Sequence, residues 1–157
     1  MTEINVVLAK DIAERIHKDQ KYGELPYMVH VEAVAQMTLQ TAITESKLMQ
    51  ELESLLAVAY LHDVLEDTTG AVEELLEELE QNFPEQVVEA VKCISKNFSV
   101  DREDYIKRVV GNPLAAVVKM LDACCNWTQN QLEGNTIGMA KYTKFINDLV
   151  KESERGV

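Results

Sequence analysis

The segment from about Lys47 to Glu66 constrains the fold more than any other part of the sequence. It contains the longest uninterrupted apolar run of the chain, Leu55 to Leu61, and its apolar residues cover most of the circumference of a helix. A helix of this kind has to be surrounded by protein. The run is far shorter than the roughly 20 residues that a membrane-spanning helix needs. We therefore predict the central helix of a helical bundle.

The remaining segments also favour helices. Apolar residues recur with i, i+3, i+4 spacing from Ile4 to Ile16, as on a helix that buries one stripe. Asn112-Pro113 is a cap followed by a first-turn proline, which predicts the start of a long helix. Gly134 and Gly138 are expected to bracket a loop. No segment shows sustained alternation with hairpin turns, so we predict no sheet and an all-α fold of seven or eight helices, in a single domain over residues 1–157.

The net charge of the chain limits the classes of partner that it can bind. The chain has 27 acidic and 15 basic residues, a formal net charge of −12, and such a surface repels nucleic acid backbones and anionic membranes. We therefore predict neither a nucleic acid polymer nor a membrane as a partner. An anionic substrate has to be recruited locally, by a metal ion or a small basic cluster.

The N-terminus and the cysteines indicate the compartment. Glu3, Lys10 and Asp11 interrupt the apolar residues that a signal peptide would need. The three cysteines include an adjacent pair and form no C-x-x-C spacing. These features predict a cytoplasmic protein with reduced thiols.

The end of the apolar segment carries the first candidate site. His62 is followed directly by Asp63, and on a continuous helix His62 and Glu66, like Asp63 and Asp67, lie one turn apart. Burying three carboxylates and an imidazole is costly unless they are paired or bind a cation. Two interpretations remain open: a divalent metal site, or a solvated helix end whose acidic residues face water.

Two further residues carry weaker signals. Asp122 lies beside the apolar stripe of its helix, with Asn126 one turn further on. Asp122 could take part in a functional site. Alternatively, it is a helix cap or a salt-bridge partner, for instance of Lys119. His30 lies at the start of the second helix, where backbone contacts usually satisfy a histidine.

Taken together, these residues form a recognisable order: a histidine, then a His-Asp pair, then a distant aspartate. This order resembles the metal-ligand pattern of the HD-domain phosphohydrolases. The stretches IAERIHKDQKYGELPYMVHVEAVA, LAVAYLHDVLEDT and VVKMLDACCN are similar to the hydrolase domain of the RelA/SpoT alarmone enzymes and their small stand-alone relatives. The resemblance covers the chain from about Ile4 to Leu149.

The resemblance implies an all-α HD-domain bundle and a role for each matching residue. It implies that a divalent ion, Mn²⁺ in the alarmone hydrolases, is held by four ligands: His30, His62, Asp63 and Asp122. It implies that Glu66 and Asp67 are the catalytic pair, which orients or deprotonates the attacking water. It also implies substrate contacts from Asn126, near the sugar, and from the loop carrying Lys21 and Tyr22, near the base.

The chain departs from the family at Val31, where a proline is common, and in two places that bear on the substrate. Tyr22 stands where the family has a lysine, so an aromatic face replaces a charge, and Ala123 follows Asp122 where the family has an arginine. Of the available basic residues we predict that only Lys21 holds a phosphate; the others are Lys18, Lys119, Lys141 and Lys144.

The predicted function is a metal-dependent phosphohydrolase that acts on a small-molecule nucleotide phosphoester. Its leading candidate is guanosine 3′,5′-bis(diphosphate) 3′-pyrophosphohydrolase. The alternatives are a nucleotidase or phosphatase for another small phosphoester, and a metal-binding HD domain without turnover. The oligomeric state stays open.

Overall fold

The computed structural model describes residues 3–156. Within them the elements are α1 (Val6–His17), β1 (Lys21–Tyr22), β2 (Leu25–Pro26), α2 (Met28–Thr44), α3 (Ser46–Met49), α4 (Leu52–Leu61), α5 (Val64–Asp67), α6 (Val72–Asn82), α7 (Glu85–Ile94), a 3-10 turn (Lys96–Phe98), α8 (Arg102–Gly111), α9 (Pro113–Leu132) and α10 (Thr136–Arg155). Among these described elements, eight helices have ten or more residues. The predicted all-α bundle of seven or eight helices is confirmed.

Helix α4 is the centre of the bundle. It packs against α1, α2, α7 and α9, and Leu55, Val58 and Leu61 are at most 1% exposed. Burial of this kind is the main favourable contribution to folding. Over the described part of the chain, no helix combines the length and the apolarity needed to cross a membrane.

The prediction of one helix from about Lys47 to Glu66 is wrong. The segment is divided into α3, α4 and α5, and a turn at His62 and Asp63 separates the last two. The Nδ1 atom of His62 lies 2.7 Å from the carbonyl oxygen of Ala59, which in a continuous helix would accept the backbone N–H of Asp63. A side chain that inserts into the hydrogen-bond ladder in this way bends or ends a helix.

The prediction of no sheet is also wrong, by one small hairpin. Strands β1 and β2 are antiparallel, with Lys21 opposite Pro26 and Tyr22 opposite Leu25. Gly23 adopts a φ of +61° at the first central position of the two-residue turn, where a type II′ turn prefers glycine. Two-residue strands are too short to show an alternating pattern, so the sequence gives little signal for them.

The last two long helices begin with side-chain caps. The side chain of Asn112 accepts the backbone N–H of Ala115 at 3.0 Å, which confirms the predicted start of α9. Asn135 in turn accepts the backbone N–H of Gly138 at 3.0 Å, so Gly138 lies inside α10. The connection predicted between Gly134 and Gly138 is therefore shorter, at residues 133–135.

Candidate metal centre and cleft

Three helices bring a buried cluster of nitrogen and oxygen atoms together. His30 lies in the first turn of α2, His62 follows the last residue of α4, and Asp122 lies in the middle of α9. One ligand atom from each residue lies within 4.8 Å of the others, and all three residues are buried. His30 Nε2 is 2.8 Å and His62 Nε2 is 3.5 Å from Asp122 Oδ1. This group can hold a metal ion.

The imidazole of His62 is oriented as a metal ligand would be. Its Nδ1 faces the carbonyl oxygen of Ala59 at 2.7 Å; a carbonyl only accepts, so Nδ1 carries a proton. Its Nε2 makes no hydrogen bond within the described residues, although Asp63 Oδ2 lies 3.0 Å away. Metal-binding histidines commonly donate their other N–H to a backbone carbonyl in this way. The solvated interpretation of the segment does not hold for His62, which is 0% exposed.

Asp122 is held as a carboxylate. Its Oδ2 accepts from Lys119 Nζ at 2.7 Å and its Oδ1 from Asn126 Nδ2 at 3.0 Å. Burial alone would raise the pKa of Asp122, but the ammonium of Lys119 and the imidazoles of His30 and His62 hold it well below its ordinary value. The sequence left two alternatives for Asp122, a salt bridge to Lys119 and a place in the metal cluster. In the structure Asp122 has both.

Asp63 stands at the edge of the cluster. The hydroxyl of Tyr27 donates to Asp63 Oδ2 at 2.5 Å. Burial raises the pKa of Asp63, but His62 outweighs this and lowers it, so Asp63 is ionised as well. Its Oδ2 lies 3.0 Å from His62 Nε2, but Asp63 is not among the three residues whose ligand atoms group together. Sequence reasoning missed the contact between Tyr27 and Asp63.

The side chains of Glu66 and Asp67 lie in different environments. Glu66 lines a cleft, and its Oε1 accepts the backbone N–H of Lys96 at 2.6 Å. Asp67 does not line that cleft; its Oδ2 accepts from Gln20 Nε2 at 3.0 Å, and Gln20 Oε1 lies 2.8 Å from Nδ1 of the buried His17. Burial raises the pKa of both carboxyl groups. A carboxyl group with a raised pKa is suited to exchange protons nearer neutral pH.

The cleft has a volume of about 860 Å³, within the range of small-molecule sites. Four acidic side chains line it, Asp63, Glu66, Asp101 and Asp122, together with five basic ones: Lys96, Arg102, Lys119, Lys141 and Lys144. Lys119 pairs with Asp122, whereas Arg102 and Lys144 share Asp148. Within residues 3–156, Lys96 and Lys141 form no ion pair. The charges of the cleft are therefore nearly balanced, on a chain that is acidic as a whole, and Lys96 and Lys141 are available to an anion.

The predicted substrate-binding residues fall into two groups. Tyr22 and Asn126 line the cleft, and the Tyr22 hydroxyl donates to Asn126 Oδ1 at 2.7 Å. Lys21 is exposed and does not line the cleft. The basic residues that do line it include Lys96 and Arg102, which sequence reasoning missed because no local pattern distinguishes them from solubilising charges.

The metal-free protein should lose stability as the pH rises above about 6.5, the ordinary pKa of histidine. Burial lowers the pKa of His62, but Asp63 and Asp122 outweigh this and raise it well above the ordinary value. When the pKa of a histidine is higher in the folded state, its protonation stabilises the fold. This stabilisation is complete below the pKa of the unfolded state and is lost as the pH rises through the pKa of the folded state. Metal affinity should change in the opposite direction, because Nε2 must lose its proton to bind an ion.

Urea unfolding of chelator-treated and Mn²⁺-loaded protein, from about pH 6 to about pH 8, measures both effects. His17 contributes with the opposite sign, because burial lowers its pKa, and its contribution is complete above about pH 7.5, one unit beyond the ordinary histidine pKa. His62→Gln is the control and should remove the dependence. A metal-free stability that stays constant over the range would contradict the prediction.

The fold and the site define a helical protein with a buried candidate metal centre, which reaches the neighbouring cleft through Asp122. No protein-family model matches this chain, and no curated protein matches it.

Proposed function

We propose that the protein is a metal-dependent phosphohydrolase that acts on a small-molecule phosphoester. The observation that carries the proposal is the buried Nε2 of His62, which makes no hydrogen bond among the described residues and is grouped with His30 and Asp122 beside a cleft that Asp122 and several basic side chains line. A cation at the cluster and lysines around it would together attract a phosphate group. The resemblance to the alarmone hydrolases supports the same function.

The donor set fits a divalent ion. Two imidazole nitrogens and the carboxylates of Asp63 and Asp122 form a mixed nitrogen and oxygen site, which suits Mn²⁺ better than the thiolate-rich sites that hold structural zinc. When bound, such an ion polarises a phosphate oxygen and lowers the pKa of a coordinated water. We propose Mn²⁺ with His30, His62, Asp63 and Asp122 as its ligands.

The surrounding side chains would position the reactants. Glu66 faces the cleft and would accept a proton from the attacking water, while its Oε1 contact to the Lys96 backbone holds the carboxylate in place. Asp67 accepts from Gln20 outside the cleft, so any role in the reaction would be to position α5 and with it Glu66. Lys96 and Lys141 would bind phosphate oxygens, since neither is occupied by an acidic partner among residues 3–156.

The leading substrate is a nucleotide with a 3′-pyrophosphate, as in the alarmone guanosine 3′,5′-bis(diphosphate). A second candidate is a smaller phosphoester, and it is favoured by the position of Lys21, which stands in the loop that would frame the base but lies outside the cleft. A non-catalytic metal-binding domain is the third. The burial that raises the pKa of Glu66 argues against it, because binding a metal does not require a proton acceptor at that position.

The test is a panel of phosphate compounds incubated with Mn²⁺-loaded protein, with release of pyrophosphate and orthophosphate measured separately. Pyrophosphate from the alarmone alone supports the leading candidate. Orthophosphate from simple phosphoesters supports the second. Metal binding without release from any compound would refute the phosphohydrolase proposal and leave a metal-binding domain.

A further inference from the structure

Tyr22 joins the hairpin to α9 across the metal centre. Its hydroxyl donates to Asn126 Oδ1 at 2.7 Å, a contact between residues 104 positions apart. Its ring stacks on the imidazole of His30, with centroids 4.7 Å apart and planes at 25°, and meets Tyr27 edge-on at 6.0 Å. The phenol thus fills the space beside a candidate ligand with the protein's own aromatic ring.

The side chain of Asn126 is already used inside the protein. Its Oδ1 accepts from Tyr22, and its Nδ2 donates to Asp122 Oδ1 at 3.0 Å. A sugar or base that took the place of Tyr22 at Asn126 Oδ1 would have to displace the phenol, although the amide oxygen has a second lone pair. It would break a hydrogen bond and an aromatic pair in doing so, and each of these contributes to stability.

The hairpin also gives the cleft no charge. Lys21 precedes Tyr22 on β1, and successive residues of a strand point to opposite faces; Tyr22 lines the cleft, whereas Lys21 is exposed. The basic groups of the cleft come instead from the 3-10 turn, α8, α9 and α10. These four elements, and not the hairpin, would therefore bind an anion. The hairpin contributes only the uncharged ring of Tyr22.

We infer that Tyr22 determines substrate specificity by occupying the space in the cleft beside Asn126 and His30, so that compact phosphoesters bind in preference to nucleotides. The substrate is held by its phosphate groups, at the metal centre and at the basic side chains, without a nucleoside contact at Asn126. This inference rests on the proposed phosphohydrolase function and favours its second candidate substrate, a smaller phosphoester, over the nucleotide. Tyr22 would then exclude nucleotides, whereas the resemblance implies that it contacts the base of a bound nucleotide.

Ligand affinity tests the inference without requiring turnover. Titration calorimetry on Mn²⁺-loaded protein carrying Glu66→Gln, which is expected to prevent hydrolysis, compares a nucleotide probe, guanosine tetraphosphate, with inorganic phosphate. Tyr22→Ala should tighten nucleotide binding about tenfold. The reason is that the nucleotide would no longer have to break the hydrogen bond and the aromatic contact of Tyr22. Binding of inorganic phosphate should change by less than about twofold.

Two further variants keep the experiment decisive. Tyr22→Phe retains the ring and releases only Asn126, so it should give a smaller gain; it also serves if Tyr22→Ala fails to fold. Tyr60→Phe is the matched control, because it removes a tyrosine hydroxyl that donates to Glu32 at 3.0 Å, away from the cleft, and should leave both affinities unchanged.

Unchanged or weaker nucleotide binding in both Tyr22 variants would overturn the inference, and so would an absence of nucleotide binding in all forms. Weaker binding in particular would show that the ring is a substrate contact. The proposed function fails by a different result, the absence of hydrolysis across the panel by protein with unmodified Tyr22 and Glu66, so the two failures are distinguishable.

Discussion

Replacing Asp122 with asparagine should abolish metal binding and destabilise the protein. The substitution preserves the shape of the side chain but removes the anionic oxygen that lies 2.8 Å from His30 Nε2. It also leaves Lys119, whose side chain is 13% exposed, without its carboxylate. Breaking a buried ion pair by removing one partner costs about 3–5 kcal/mol. Urea unfolding and an EPR titration with Mn²⁺ measure the two effects.

A double variant separates the charge effect from the ligand effect. Asp122→Asn combined with Lys119→Met removes both charges and should recover much of the lost stability, since a buried ion pair is often replaceable by apolar groups. It should still fail to bind Mn²⁺. If the double variant regained metal affinity, Asp122 would not be a ligand, and its carboxylate would serve only to neutralise Lys119.

Replacing Glu66 with glutamine should lower kcat by about 10²–10⁴-fold, the usual contribution of a general acid or base. Glutamine retains a side-chain oxygen that can accept the backbone N–H of Lys96, so the local structure should persist. Metal content and stability should therefore remain close to those of the unsubstituted protein. The raised pKa of Glu66 also predicts an acid limb in the pH profile of kcat, which the variant should lose.

Glu77→Gln is the matched control for this experiment. Glu77 is an exposed glutamate on α6, so the same loss of charge there should leave kcat and metal content unaltered. A parallel fall of metal content and kcat in Glu66→Gln would instead make Glu66 a ligand or a structural contact of the centre.

The parts of the fold that depend on local sequence were predictable. The apolar circumference around Leu55 to Leu61 predicts burial directly, and the structure places α4 at the centre of the bundle. The cap at Asn112 likewise requires only its neighbours. The break after α4 was missed because it depends on one side-chain contact, from His62 to Ala59, that apolar periodicity does not encode.

The candidate site was predictable only in part. The cluster of His30, His62 and Asp122 follows the motif order that the resemblance supplies. The chain of contacts from His17 through Gln20 to Asp67 was missed, because Gln20 and Asp67 lie 47 residues apart and their packing sets the contact. The placement of Lys21 outside the cleft is likewise a result of the hairpin, whose strands are too short to be recognised from sequence.

The separation of the cluster along the chain has a consequence for folding kinetics. The His62 imidazole is oriented by a carbonyl three residues away, so half of the centre can form with α4 alone. His30 and Asp122 are 92 residues apart, and contacts of such separation require most of the chain to be ordered first. An ion would then bind after α9 has docked, and it would slow unfolding while leaving the refolding rate nearly unchanged.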